Sequence, residues 1–132
     1  MRECPCGGNR GSDTGSGAGY DECCGRLHRG AARAVTAEEL MRSRYSAFVV
    51  GEADYLFTTW HPRTRPDDVV LDPSTRWTGL EVVDVVDGGP EDEEGVVEFV
   101  ARYAGGEQRE RSRFARRAGR WLYLDAVPPR GG

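Results

Sequence analysis

All four cysteines of this 132-residue chain lie in its first 24 positions, where Cys4 and Cys6 form a Cys-x-Cys pair and Cys23 and Cys24 are adjacent. Thiols this close in sequence bridge to each other poorly, and inert thiols belong to apolar cores rather than to a polar, glycine-rich segment. Two such pairs joined by a flexible loop can supply the four thiolates of a tetrahedral zinc site. The spacing therefore predicts a structural zinc ion bound by these four cysteines.

The same segment leaves two alternatives open. His28 follows Cys24 closely, so an imidazole in place of Cys23 or Cys24 would also complete a zinc site. Disulfides between the two cysteine pairs would require an oxidising compartment. Because residues 1–34 contain few large apolar side chains, we expect a metal ion to supply the free energy that folds them.

The composition narrows the classes of function. The net charge of −4 argues against broad binding of nucleic acid. No apolar run approaches the ~20 residues of a membrane span, and the N-terminus lacks the basic and apolar regions of a secretion signal. We therefore expect a cytoplasmic protein, whose thiols stay reduced.

Two amphipathic helices are predicted at the start of the main domain. Thr36 and Glu39 have the spacing of a capping box, and Gly51 is a glycine that can end a helix in the left-handed conformation. Together they predict a first helix between Thr36 and Gly51. At helical spacing its inward stripe consists of Ala37, Leu40, Met41, Tyr45, Ala47 and Phe48. A second helix is predicted over residues 52–60.

The period of the pattern then changes to that of strands. Four strands separated by glycine-containing turns are predicted at 79–89, 94–106, 107–119 and 120–127. Helices followed by a run of strands make an α+β plan, with two N-terminal helices packed on a curved antiparallel sheet. The predicted organisation is a zinc-binding segment at 1–34, an α+β domain at 35–128 and a tail at 129–132.

The third predicted strand has two chemically distinct faces. Glu110, Ser112 and Phe114 share one face, and the large apolar Phe114 predicts that this face points inward. Arg111 and Arg113 then lie on the outer face, toward solvent or a partner.

One arginine of the first helix requires an explanation. Arg44 lies at the centre of the apolar stripe, whereas Arg42 falls on its polar side. Burial of an unpaired guanidinium is costly, so the position predicts a carboxylate partner. Glu110 is the first candidate, followed by Asp54 and Asp125.

Several motifs resemble known proteins. CPCG and SGAGYDECC resemble the SEC-C motif, CPCGSGxxYxxCC, a zinc-binding module that also occurs at the C-terminus of the SecA motor, with residues 8–15 inserted here between its halves. LMRSRYSAF, ADYLFTTWHP, VEFVARY, ERSRF and RWLYLDA are similar to the YchJ family of small bacterial proteins. The resemblance implies a nuclear-transport-factor-2-like α+β cone with a small zinc knuckle, and it implies no secure activity.

Two hypotheses of function follow. The favoured one is a non-enzymatic adaptor that docks a protein partner through the zinc knuckle. The resemblance to SecA implies this role, because the SEC-C motif of SecA contacts an export chaperone and the ribosome. The chain has no nucleophile elbow, phosphate loop or metal-ligand helix, so an enzyme is not favoured, and neither membrane nor nucleic-acid partners are expected.

The second hypothesis is a small-molecule or enzymatic pocket inside the cone, between the helices and the concave sheet. Its candidate lining residues are Arg44, Tyr45, Asp54, Trp60, His61, Glu110, Ser112 and Tyr123.

Overall fold

The computed structural model describes residues 4–6, 20 and 23–128; the inserted loop at 8–15 and the tail at 129–132 lie outside the described residues. Its helices and strands are α1 (Cys24–His28), α2 (Ala37–Val50), α3 (Ala53–Thr58), β1 (Trp77–Asp87), β2 (Glu94–Tyr103), β3 (Gly106–Arg117) and β4 (Arg120–Val127). The strands form one antiparallel sheet in the order β1-β2-β3-β4. The predicted α+β architecture is confirmed.

Helix α2 begins and ends at the residues predicted from its caps. The Thr36 hydroxyl accepts a hydrogen bond from the backbone N–H of Glu39 at 3.1 Å, and the Glu39 carboxylate accepts from the N–H of Val35 at 2.7 Å. Gly51 follows the last turn with φ of 87°, in the left-handed region that favours glycine. These local interactions fix which residues of α2 face the sheet.

The core lies between α2 and the concave face of the sheet. Its buried residues are Ala37, Leu40, Met41, Val97, Phe114 and Trp121. Phe48, the last member of the predicted stripe, is 39% exposed because α2 extends beyond this core.

The opposite side of α2 is buried as well, which sequence reasoning did not predict. Arg42 was expected on a polar face of α2. It is buried because the segment that contains Cys6, together with α1, packs against that face. Ser43 and Ser46 are completely buried with it. Helix α1 itself was not predicted, since its five residues contain one large aliphatic side chain.

The connection after α3 is tied to the last strand. The N–H of Tyr123 donates to the carbonyl of Thr59 at 2.8 Å, and the N–H of His61 donates to the carbonyl of Tyr123 at 2.7 Å. These bonds pair Trp60 with Tyr123 as an isolated parallel bridge. The end of α3 is thereby held beside the edge strand β4.

The predicted faces of β3 are confirmed. Phe114 is 2% exposed on the inner face, whereas Arg113 is on the outer face and pairs with Asp125 at 2.7 Å. Arg111 is also on the outer face, but it is mostly covered because Asp84 and Glu98 hold its Nη1 at 2.7 and 2.9 Å. Among the residues described, no helix has the length and apolarity needed to cross a membrane.

The turn between β1 and β2 anchors the start of α2, which yields a test of the packing. The N–H of Ala37 donates to the carbonyl of Gly88 at 2.9 Å, and a Cβ on Gly95 would lie 2.5 Å from the Cα of Gly88. We expect Gly95→Ala to lower the free energy of unfolding by about 1–3 kcal/mol, because backbone must move to admit the methyl group.

Gly79→Ala is the matched control, since a Cβ there meets nothing within 4 Å. When the free energy of unfolding of both variants is measured by denaturant titration, Gly79→Ala should be neutral or slightly stabilising. Equal stabilities for the two variants would contradict the close approach of Gly95 to Gly88 at the turn between β1 and β2.

Candidate functional site

The four cysteines converge on one point, although they come from two separate parts of the chain, Cys4 and Cys6 from one and Cys23 and Cys24 from the other. Their sulfurs all lie within 4.8 Å of one another, and all four residues are buried. The distance from Cys4 Sγ to Cys6 Sγ is 3.5 Å, from Cys6 Sγ to Cys23 Sγ 3.6 Å and from Cys23 Sγ to Cys24 Sγ 4.0 Å. We call this group the cysteine cluster.

The donor set and spacing of the cysteine cluster fit a tetrahedral metal ion. Four sulfurs at ~2.3 Å from a central zinc would be separated by about 3.8 Å along each edge of the tetrahedron. The three sulfur–sulfur distances above bracket that value. A disulfide would require sulfurs at about 2.05 Å, and all four cysteines are free.

Charge explains why the cluster would bind a cation. Thiol hydrogen bonds, led by that of Cys23, lower the pKa of Cys4 below its usual range. At Cys24 the Cys23 sulfur, the other two thiols and burial all raise the pKa. Without a cation, some of the thiols must therefore stay protonated, and a divalent ion would offset two of the four negative charges of a fully deprotonated cluster.

Helix α2 supports the cluster from outside. Arg42 donates from Nη1 to the carbonyl of Cys6 at 2.7 Å and is itself held by Glu38 at 2.9 Å. The Ser46 hydroxyl lies 3.9 Å from Cys4 Sγ, where it can donate to a thiolate. Such outer contacts orient metal ligands.

The structure places His28 beside the cluster but outside its ligand set. Nε2 of His28 donates to the carbonyl of Ser43 at 2.8 Å, which leaves Nδ1 to accept from the Tyr20 hydroxyl at 2.5 Å. Its ring also packs against Tyr55. Because both ring nitrogens are engaged, the geometry favours four cysteine ligands over the alternative with His28.

A second candidate site is a cavity of about 230 Å³ inside the cone. It is lined by Met41, Arg44, Tyr45, Phe48, Trp60, Trp77, Phe99, Ala101, Gln108, Glu110, Ser112, Phe114 and Tyr123. Most of its lining side chains are aromatic, and a few polar side chains, Arg44, Gln108, Glu110 and Ser112, complete it. This combination is typical of small-molecule sites.

Six of the eight pocket residues expected from the sequence line this cavity, and Asp54 and His61 do not. Asp54 is exposed in the first turn of α3. His61 follows Trp60 in an extended bridge, so its side chain points away from the cavity, where its Nδ1 accepts from the N–H of Arg63 at 3.1 Å. The expected placement of these two residues in the pocket is therefore wrong.

The predicted carboxylate partner of Arg44 is also wrong. Arg44 is 6% exposed, as expected, but Nη1 donates to the carbonyl of Leu56 at 2.9 Å and to the hydroxyl of Thr59 at 2.7 Å. Its guanidinium carbon lies 5.2 Å from the ring centroid of Trp60 and 4.8 Å from that of Tyr123. One carbonyl and one hydroxyl at the end of α3, together with two aromatic faces, stabilise the charge instead.

Burial lowers the pKa of Arg44 to about 10, against the opposing effects of Tyr123, Tyr55 and Glu110. Arg44 therefore carries its charge at neutral pH. Glu110 does not bond to Arg44; one of its oxygens accepts from the Ser112 hydroxyl and, at 3.2 Å, from the Tyr123 hydroxyl.

Two residues of the aromatic wall, Trp77 and Phe99, were not predicted from the sequence. Trp77 lies before the predicted start of β1, and Phe99 is on the inner face of β2, opposite Glu110. Strand alternation identifies Phe99 once Glu110 is placed inward, whereas no signal in the sequence distinguishes Trp77 as a cavity residue.

The fold, helices packed on a four-stranded antiparallel sheet, is that of a nuclear-transport-factor-2-like protein. The cysteine cluster that packs against α2 is a knuckle of the SEC-C type. Residues 36–126 match the family described as "YchJ, middle NTF2-like domain". The chain belongs to this YchJ family.

Relatives and solved structures agree with that assignment. The chain is 54% identical over 122 residues to a UPF0225 protein of Streptomyces coelicolor, covering 92% of each chain. It is similar to the solution structure of a SEC-C motif containing protein from Rhodopseudomonas palustris, with a TM-score of 0.70 and 33% identity over 86% of this chain and 95% of the other. A SEC-C motif containing protein from Psychrobacter arcticus gives a TM-score of 0.73 and 32% identity over 98% of this chain and 85% of the other.

The buried hydroxyl of Tyr123 predicts a dependence of stability on pH. Burial, reinforced by the charge of Glu110, raises the pKa of Tyr123 above its ordinary value of about 10. The unfolded chain then loses this proton first, so the free energy of unfolding should fall as the pH rises above about 10.

Tyr123→Phe should make this fall shallower. Glu110→Gln should lower the pKa of folded Tyr123, so that the contribution of Tyr123 to the fall is smaller and ends at a lower pH, as measured by denaturant titrations at several alkaline pH values. An identical pH profile for the parent and Tyr123→Phe would show that the hydroxyl of Tyr123 is not buried as described.

Proposed function

We propose that this protein is a zinc-binding, non-enzymatic binding protein. The observation that carries the proposal is the convergence of the four cysteine sulfurs within 4.8 Å, at separations close to those of a tetrahedral thiolate site. A site closed by four protein ligands leaves no coordination position for a substrate, which favours a structural role for the ion.

The role we propose for the knuckle is to dock a protein partner. The likeness to SEC-C motif containing proteins supports a contact module, and the end of the knuckle carries exposed Arg29 and Arg33. A basic edge of this kind favours a partner with an acidic surface. The zinc ion would hold this edge in position, because few apolar contacts order the segment.

Metal analysis tests the zinc site. The purified protein should contain about one equivalent of zinc, and Cys6→Ser and Cys24→Ser should each lose it. His28→Ala is the matched control, which should keep the metal while losing some stability with the bonds to Tyr20 and Ser43. Loss of metal from His28→Ala with retention by Cys23→Ser would refute the ligand set, and stoichiometric iron would refute zinc.

Docking is tested with a variant that leaves the metal in place. A partner captured from lysate by the zinc-loaded protein should bind at least tenfold more weakly to an Arg29→Glu/Arg33→Glu variant, and more strongly at low than at high salt. Arg102→Glu, at the exposed end of the central strand β2, is the matched control. Capture that survives both the charge reversal and Cys24→Ser would contradict docking through the knuckle.

A further inference from the structure

The cone cavity contains hydrogen-bond donors that the protein does not satisfy. All hydrogen bonds that Arg44 donates to described residues come from Nη1, which leaves the N–H groups of Nε and Nη2 without partners in that part of the chain. The indole Nε1 of Trp60 is buried, and it too has no partner among residues 4–6, 20 and 23–128. Both side chains line the same cavity.

The guanidinium of Arg44 is held in a fixed orientation. The Thr59 hydroxyl donates to the carbonyl of Tyr55 at 2.6 Å, so its oxygen is free to accept from Arg44. The rings of Trp60 and Tyr123 restrict the guanidinium further. A donor held this way loses little entropy when it binds an acceptor.

Charge determines which acceptor fits. Arg44 is buried, and no carboxylate in the described structure forms an ion pair with it, so an anion in the cavity would offset the cost of its burial. Glu110 lines the same cavity, and its charge disfavours a ligand that carries two negative charges. A planar carboxylate carries one charge and matches the guanidinium edge with two oxygens.

The walls and volume determine the rest of the ligand. Aromatic rings of Trp77, Phe99 and Phe114 surround the space next to Arg44, and the exposed Gln108 and Phe48 mark its mouth. The volume of about 230 Å³ is below the ~300 Å³ at which sites for drug-sized ligands begin. A single aromatic ring with one substituent fits this description.

We propose that the cone cavity binds a small aromatic carboxylate, whose oxygens accept hydrogen bonds from Arg44 and Trp60 and whose ring packs on the aromatic wall. This site is separate from the proposed zinc site, so either can fail without the other.

The test uses the full, metal-loaded chain and four probes: benzoate, methyl benzoate, phenyl phosphate and benzamidine. In an NMR titration benzoate should saturate with a Kd below about 1 mM and bind at least tenfold more tightly than any of the other three. The indole N–H signal of Trp60 should shift on addition of benzoate. That of Trp121, which already donates to the carbonyl of Val35 at 3.1 Å, should not.

Variants connect the binding to the proposed groups. Arg44→Met should weaken benzoate binding at least tenfold, and Arg44→Lys should recover part of the loss. Arg102→Met, at the exposed end of β2 and outside the cavity, should have no effect. Trp60→Phe keeps a ring while removing the N–H and should weaken benzoate several-fold, which keeps the test decisive if Arg44→Met does not fold.

Three results would overturn the proposal. Equal binding of benzoate and methyl benzoate would show that the carboxylate is not recognised. Tighter binding of benzamidine would make Glu110 the anchor instead of Arg44. The absence of saturable binding by benzoate would show that Arg44 is satisfied by its rings, its carbonyl and solvent alone.

Discussion

The packing of helix α2 between two chemically different surfaces is the constraint on which the rest of the structure depends. Its apolar side lies on the sheet, where Ala37 and Leu40 join the core. Its other side carries Ser43 and Ser46, which are equally buried although they offer almost no apolar area. Apolar burial cannot hold a second layer against such a surface. The cysteine cluster can, because a bound ion would tie the two halves of the N-terminal segment together beside the helix.

The two arginines of α2 show how a polar helix is buried on both sides. Arg42 links the helix to the cysteine segment through the carbonyl of Cys6, and Arg44 links it to the end of α3 through the carbonyl of Leu56. Each guanidinium donates to a backbone carbonyl of the segment that packs beside the helix. The helix therefore connects the proposed metal site to the cone cavity, since Arg44 is at once a structural link and the charged group of the cavity.

Much of this arrangement was predictable from local signals. The capping residues of α2 set its register, and strand alternation around Phe114 set the inner face of β3, so both elements were predicted correctly in position. The four cysteines predicted as ligands lie together in one cluster. The contacts that were missed depend on tertiary structure. Arg42 appeared solvent-exposed because the segment that covers it has no hydrophobic pattern. His61 was assigned to the pocket because neither its neighbours nor its spacing indicates that Trp60 pairs with β4 and turns the next side chain outward. The partner of Arg44 was predicted as a carboxylate because sequence shows charges but not the positions of carbonyl groups and aromatic faces.

The central claim is that the cysteine cluster with its ion is part of the packing of α2 and not an appendage to the cone. Amide hydrogen exchange before and after removal of the metal by a chelator tests this most directly. We expect exchange to accelerate throughout α2, together with α1, while β2 and β3 keep their protection because their ladder and core contacts are independent of the cluster. If α2 exchanges at the same rate with and without the metal while only the N-terminal segment loses protection, the account is contradicted.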